Sequence, residues 1–273
     1  MSTTTWIIYA GFLVTGVFSG FLGGFAGVGG GVINVPALDA LFHALGLPPD
    51  SSFTYARGTS LAIILMTSIS ASRTHHDDNG VNWPATVWSI VGGAVGTTIA
   101  SQIALNTDPT IMKAAFGIVL WGVAARIFWS KSPEHVDGAE VTSPWFFLAM
   151  GASAGIIVGL FGLGGGILNL PILLLLGRFQ PHRAVGTSAA VVAGYAAIGA
   201  ANYAWATPPA EAQIPHAVGY VHLPAWIFVA AASMILAHYG ARAAQKLDPK
   251  PLKMAISGLM VIVGLRYVAG LFF

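Results

Sequence analysis

Apolar runs of 18 or more residues recur along the whole chain, and only 8% of its 273 residues are charged. Each run is long enough to cross about 30 Å of hydrocarbon as a helix. A soluble domain carries about 25% charged residues, so this chain cannot cover a water-facing surface. The pattern predicts an all-α polytopic membrane protein in a lipid bilayer. The net charge of +2 decides little, and with no basic block or aromatic–basic patch the sequence gives no sign of nucleic-acid binding. Cysteine is absent, which excludes disulfides, Cys-ligated zinc and thiol catalysis. The start, MSTTTWIIYAGFLVTGVF, lacks a positive leader region and a small-residue cleavage site, and reads as a retained first span.

The chain is written twice. GVGGGVINVP at 27–36 returns as GLGGGILNLP at 162–171, a shift of 135, with identity at six positions and aliphatic exchange at the other four. YARGTS at 55–60 answers RAVGTS at 183–188, and WPA at 83–85 answers LPA at 223–225. Three blocks in one order predict an internal duplication, common in membrane transporters. The halves are residues 1–130 and 145–273, joined by a polar linker at 131–144 that contains three of the ten acidic residues. A second polar, proline-rich loop occupies 207–222.

Hydropathy and turn signals place spans at Trp6 to Phe25, Thr54–Ser72, Trp83–Leu105, Thr110–Trp129, Trp145–Phe161, Ala184–Ala206, Leu223–Ala244 and Pro251–Phe273. Interrupted segments follow the first span of each half and reach Leu47 and Leu176. The expected architecture is about eight transmembrane helices plus two broken or re-entrant elements. If the interrupted segments belong to one long first helix, the halves are parallel repeats; if each is a separate crossing, they are inverted. The eight-crossing count puts Arg57, Lys113, Arg178, Arg183, Arg242, Lys246, Lys250 and Lys253 on one side, and Arg73, Arg126 and Lys131 on the other. The positive-inside rule then leaves both termini outside.

A glycine-rich stretch is a poor helix, since glycine costs roughly 0.5–1 kcal/mol relative to alanine. Irregular backbone at membrane depth survives only where it is buried in protein or lines a watery cavity. The glycine runs therefore mark breaks where a second helical piece starts, and the free N–H groups of that start favour an anion. The candidate binding residues are Gly29, Gly30, Gly31, Asn34 and Pro36 with Gly164, Gly165, Gly166, Asn169 and Pro171. Asparagine adds a neutral donor, and proline is tolerated early in a helix, where its missing N–H matters least. The competing role is tight helix packing, which suits Gly16, Gly20, Gly24, Gly92 and Gly96.

Thr59 and Ser60, with Thr187 and Ser188, open an apolar span in each half and either cap it or hold a solute. Arg57 precedes the first copy, but Val185 stands at the matching place, so a symmetric arginine clamp is not expected. Arg57 and His238 remain candidates for supporting or coupling roles, although histidine inside a span is more often structural. Asp39 follows the first motif. Arg126 and Arg266 repeat near helix ends, where snorkelling accounts for them. No metal site or cofactor motif is recognised, and the adjacent histidines of the His75–Asp78 loop are poorly placed to converge on one ion.

Gly-x-Gly-Gly-Gly followed by an apolar stretch and proline, once in each half, with GTS in a later helix, resembles the sulfite exporter TauE/SafE family across essentially the whole chain. The resemblance implies a bacterial inner-membrane permease for small sulfur-containing anions such as sulfite or organosulfonates. It carries over to Gly29, Gly30, Gly31, Pro36, Gly164, Gly165, Gly166 and Pro171, with Thr59, Ser60, Thr187 and Ser188 as its second element. The expected function is export of such an anion driven by the membrane potential. Proton-coupled import of the same class and an anion channel are the alternatives. An intramembrane enzyme is disfavoured, because the spans contain no H-E-x-x-H motif and no paired carboxylates. The expected partner is a small anionic solute, and the sequence leaves room for a homo-oligomer.

Overall fold

The structure, a computed structural model, describes residues 3–26, 30–77, 79–129, 138–244 and 249–270. Eight long helices and two short ones make an all-α membrane protein. The long ones are α1 (Thr3–Ala26), α3 (Pro49–Asp77), α4 (Trp83–Asn106), α5 (Pro109–Trp129), α6 (Pro144–Phe161), α8 (Pro181–Trp205), α9 (Leu223–Ala244) and α10 (Pro249–Ala269). The short ones are α2 (Gly31–Ala44) and α7 (Gly166–Pro171), the latter extended by a π-helical turn, Ile172–Leu176. Among the described residues, α1, α4, α5, α6, α8 and α9 are long and apolar enough to cross a bilayer.

Both short helices turn the chain back. Gly11 of α1 lies against Leu41 of α2 and Gly30 lies against Ser19, so α2 runs antiparallel to α1. The Phe42 and Tyr55 rings meet at 5.9 Å, and Gly31 faces Ile64, so α3 reverses again. Because the short elements also change direction, the ten helices alternate, and α6 to α10 run opposite to α1 to α5. Neighbouring contacts follow that exchange. Helix α1 packs parallel to α9 through Gly16 on Val229 and Gly20 on Ser233, and α6 packs parallel to α4 through Gly151 on Ser89 and Gly159 on Thr97. Helices α3 and α8 cross antiparallel at the centre, with Gly58 on Tyr203 and Gly186 on His75, and α5 and α10 pair antiparallel at one side through Trp121 on Val261.

The start of α1 and the end of α10 share one face, the terminal face. Reversal at α2 and α7 corrects the side assignment made from eight crossings. Lys113 lies on the terminal face, where its Nζ donates to the Pro49 carbonyl at 2.6 Å, while Arg73, near the end of α3, lies on the far face with Arg178 and Arg183. Lys131 and Lys246 lie outside the described residues.

Helix starts also differ from the hydropathy reading. Helix α3 begins at Pro49 and α8 at Pro181, so the GTS triplets sit inside helices instead of opening them. Proline at the first helical position, pre-set in φ, nucleates the earlier start. The loop 207–222 contains a short hairpin, Ala217–Val218 against Val221–His222, turned by Gly219 at φ +54°. Of the linker, residues 138–143 are described: Glu140 pairs with Arg183 at 2.6 Å, and the Val141 N–H donates to the Gly177 carbonyl.

Candidate functional site

The two glycine turns meet at the centre of the molecule. A Cβ on Gly31 would stand 3.0 Å from the Gly164 amide nitrogen and 3.2 Å from the Gly162 carbonyl oxygen. Only glycine permits so close an approach of two backbones. Gly162 itself ends α6 in the left-handed region, at φ +68°, and its N–H closes on the Val158 carbonyl. Ile64 of α3 and Val192 of α8 pack on Gly164, while Ser188 and Val192 face Gly166. Gly29 lies outside the described residues.

Helices α2 and α7 start in the same way. Gly30 and Gly165 precede them with near-identical backbone (φ −61°, ψ −7° and φ −58°, ψ 0°), and neither start carries a side-chain cap. The Gly30 carbonyl receives the N–H groups of Ile33 and Asn34; the Gly165 carbonyl receives those of Leu168 and Asn169. The first N–H groups of each piece have no intrahelical acceptor.

Asn34 and Asn169 are 1% and 0% exposed. Asn34 Oδ1 and both polar atoms of Asn169 have no hydrogen-bond partner among the described residues. Tyr195 of α8, also 0% exposed, turns its hydroxyl to the Asn169 side chain without a well-formed hydrogen bond. An unpaired buried polar group costs about 1–3 kcal/mol, so such a concentration beside the turns asks for an explanation.

The family model of the sulfite exporter TauE/SafE proteins matches residues 12–267. This chain belongs to that family. It is 30% identical over 256 residues to a probable membrane transporter protein of Methanocaldococcus jannaschii, covering 93% of this chain and 92% of the relative. It is 26% identical over 257 residues to a probable membrane transporter protein of Haemophilus influenzae, covering 93% and 96%. A probable membrane transporter protein of Bacillus subtilis is 25% identical over 197 residues, 66% of this chain and 72% of the relative. No solved structure matches the chain. The protein is a multi-pass membrane transporter.

In this TauE/SafE chain the hydroxyl residues have identifiable partners. Thr187 Oγ1 accepts the Asn82 N–H at 2.9 Å, and Asn82 Oδ1 accepts the Ala85 N–H at the start of α4. Thr59 Oγ1 likewise accepts the His222 N–H at 3.1 Å, and His222 Nδ1 accepts the Ala225 N–H at the start of α9. Each threonine thus braces the cap of another helix. Ser60 donates to the Gly162 carbonyl at 2.9 Å and steadies the second turn from the first half.

Arg57 is buried, at 1% exposed, and among the described residues no carboxylate is bonded to it. Its guanidinium donates to the Leu160 carbonyl near the end of α6 at 3.0 Å, to Thr54 Oγ1 at 3.0 Å and to the Ala104 carbonyl near the end of α4 at 3.5 Å. Helix C-terminal carbonyls carry partial negative charge, so the cation is engaged, except at Nε, which has no partner among the described residues. It stands over the Phe53 and Tyr203 rings.

Three further residues have surroundings that the sequence does not show. Arg126 donates to the Ile167 carbonyl instead of snorkelling. That carbonyl would normally receive the N–H of residue 171, which is Pro171 and has none; the arginine fills the gap. Asp39, half-buried on α2, accepts from Ser52 Oγ at 2.5 Å and from the Tyr267 hydroxyl at 2.9 Å. His238 is exposed on α9 with its ring against Tyr239. Pro36 and Pro171 lie inside the broken helices, half-buried. A cavity of about 690 Å³ lies elsewhere, between α1 and α9 at the terminal face; Trp6, Leu13, Leu223 and Phe228 line it, and it contains none of the predicted residues.

Proposed function

We propose that the protein carries a small sulfur-containing anion, sulfite or an organosulfonate, across the bacterial inner membrane, outward, on the membrane potential. The anion lies between the two glycine turns, held by main-chain N–H groups and by the Asn34 and Asn169 side chains. One observation carries this reading: the glycine turns before α2 and α7, about 135 residues apart in sequence, touch at the centre, with buried amide atoms of Asn34 and Asn169 lacking well-formed hydrogen bonds beside them.

The chain is, on this reading, two inverted repeats, 1–130 and 145–273, joined by the linker 131–144. Support comes from the repeated motif, the opposed helix directions and the matched caps at Asn82 and His222. Inverted repeats with broken helices at mid-membrane suit alternating access. Arg73, Arg178 and Arg183 favour a cytoplasmic far face, with both termini outside.

A potential of 100 mV moves one charge with about 2.3 kcal/mol, roughly a fifty-fold gradient at a factor of ten per 1.36 kcal/mol. An anion leaving a negative interior needs no further drive. Sealed vesicles containing the protein, loaded with sulfite or methanesulfonate and given an imposed potential, test this. Efflux should rise with interior-negative voltage, and voltage-independent flux would refute it. Gly30→Leu and Gly165→Leu should abolish binding, and retained affinity in both would move the site.

A proton-coupled import mode has one observation in its favour, the Asp39 carboxylate on the broken helix α2. Uptake driven by a proton gradient and lost in Asp39→Asn would support it over voltage-driven export.

A further inference from the structure

We infer that the anion between the glycine turns is held chiefly from the second half of the chain, by the Asn169 carboxamide and the Tyr195 hydroxyl, and that this pair selects a singly charged oxyanion over a doubly charged one. The inference rests on the anion-carrier reading and adds to it a place, a new residue and a charge preference.

Asn169 and Tyr195 come from different helices, α7 and α8, and both are fully buried. The Asn169 amide and the Tyr195 hydroxyl face each other without a well-formed hydrogen bond, and neither has any other partner among the described residues. The site is built around the ring. A Cβ on Gly93 would stand 1.9 Å from Tyr195 Cε1, and one on Gly165 would stand 3.3 Å from Cδ2, on the other edge. Any larger residue at position 93 would displace the phenol.

The first half has no such pair. At the shift that aligns the GTS triplets, Tyr195 corresponds to Thr67, whose hydroxyl reaches back to the Ile63 and Ile64 carbonyls. Ser89, Thr97 and Ser101 of α4 and Arg57 Nε also lack partners among the described residues, but Asn169 and Tyr195 are the two that stand side by side next to a glycine turn.

Charge preference follows from the donors. Asn169 and Tyr195 are neutral. The guanidinium groups of Arg126 and Arg57 bond elsewhere, to the Ile167 carbonyl and to the Leu160 and Ala104 carbonyls, and neither bonds Asn169 or Tyr195 among the described contacts. The desolvation cost of an ion grows with the square of its charge, so a second charge raises it about fourfold, whereas attraction to fixed dipoles only doubles. Neutral donors thus favour a headgroup such as a sulfonate and reject sulfate.

Binding to the purified full-length protein tests this, with methanesulfonate and sulfate as probes at matched ionic strength. Methanesulfonate should raise the thermal midpoint saturably and sulfate should not. Tyr195→Phe should weaken methanesulfonate binding about tenfold or more, the loss expected for a hydrogen bond to a charged group. The same variant should raise the midpoint of the ligand-free protein, because it removes an unpaired buried hydroxyl. Thr67→Val should leave affinity within about twofold, since the hydroxyl it loses is already bonded to its own helix. Equal binding of sulfate, unchanged affinity in Tyr195→Phe, or a lower ligand-free midpoint in that variant would each overturn the inference. If Gly30→Leu and Gly165→Leu abolish binding while Tyr195→Phe does not, the carrier reading stands and this placement falls. If the wild type binds no anion, both fall.

Discussion

Acid should destabilise this protein through His222, by an amount the structure sets. The ring is buried against Phe12 and Phe42 at the start of α9, and its Nδ1 accepts the Ala225 N–H, which requires the neutral form. Burial, aided by the charge of His216, pushes the His222 pKa down from 6.5 to about 4. A depressed histidine pKa means that the unfolded chain binds the proton first. The stabilisation is therefore complete above pH 6.5 and is lost as pH falls from 6.5 towards 4. Between pH 7.5 and 5 the loss is about 2 kcal/mol. Asn82, which caps α4 with the same pair of contacts, identifies a non-titrating substitute. His222→Asn should retain the cap and lose about 2 kcal/mol less than wild type over that range. His222→Ala should cost about 1 kcal/mol at pH 7.5 through the lost cap. Unfolding followed by tryptophan fluorescence in detergent at both pH values measures all three. An equal acid penalty in wild type and His222→Asn would refute the argument.

Gly92→Ala should separate α4 from α6, because the new Cβ would fall 2.1 Å from the Leu148 carbonyl oxygen; Gly122→Ala meets nothing within 4 Å. The first should cost several kcal/mol or prevent folding, while the second should be neutral or stabilising by up to about 1 kcal/mol, read from thermal unfolding. Thr59→Val and Thr187→Val should each lower stability by about 1 kcal/mol, since each strands the N–H of a capping residue. Arg126→Leu should cost about 1–3 kcal/mol by orphaning the Ile167 carbonyl. Pro171→Ala should offset that loss in the double variant by restoring the missing N–H, and independent, additive losses would show that the two are not coupled.

The helices and their breaks were legible because lipid leaves few options: apolar runs span, and glycine with proline interrupts. The matched WPA and LPA blocks were visible, but the capping roles of Asn82 and His222 just before them needed the fold to appear. The GTS triplets misled, because apolar character rises there while the helix starts earlier, at Pro49 and Pro181. Arg57 stood out in the sequence only as a basic residue before the first GTS triplet and a candidate for a supporting role; its partners at Ala104 and Leu160 lie 47 and 103 residues away, beyond any local signal. Tyr195 and Gly93 carry no motif at all. Their relation exists only once α4 and α8 run side by side, with Ile90 against Gly194 as well.

The central helix α3 divides into two unlike parts, and on the proposed carrier reading the division implies access from one face. From Ser52 to Ile64 every residue is buried; from Leu65 to His76 every residue is at least partly exposed. The exposed part is polar, with Thr67, Ser68, Ser70, Ser72 and Arg73, and such a row is costly against lipid tails. Water along this face is the consistent alternative, leading from the basic far face to Ile64 and the glycine turns. On the other side Arg57, Phe53, Phe116 and Tyr203 fill the space and close the terminal face. Because the chain has no cysteine, single-cysteine variants report this directly. Ser68→Cys in reconstituted vesicles should react with an impermeant thiol reagent added to the far face, and Thr54→Cys should be protected from either face. A saturating transported anion should change both rates, since alternating access requires the buried part of α3 to open when the polar part closes. Equal labelling of Thr54→Cys from the terminal face without substrate would mean that the Arg57 side is open, and the assignment of one-sided access would be wrong.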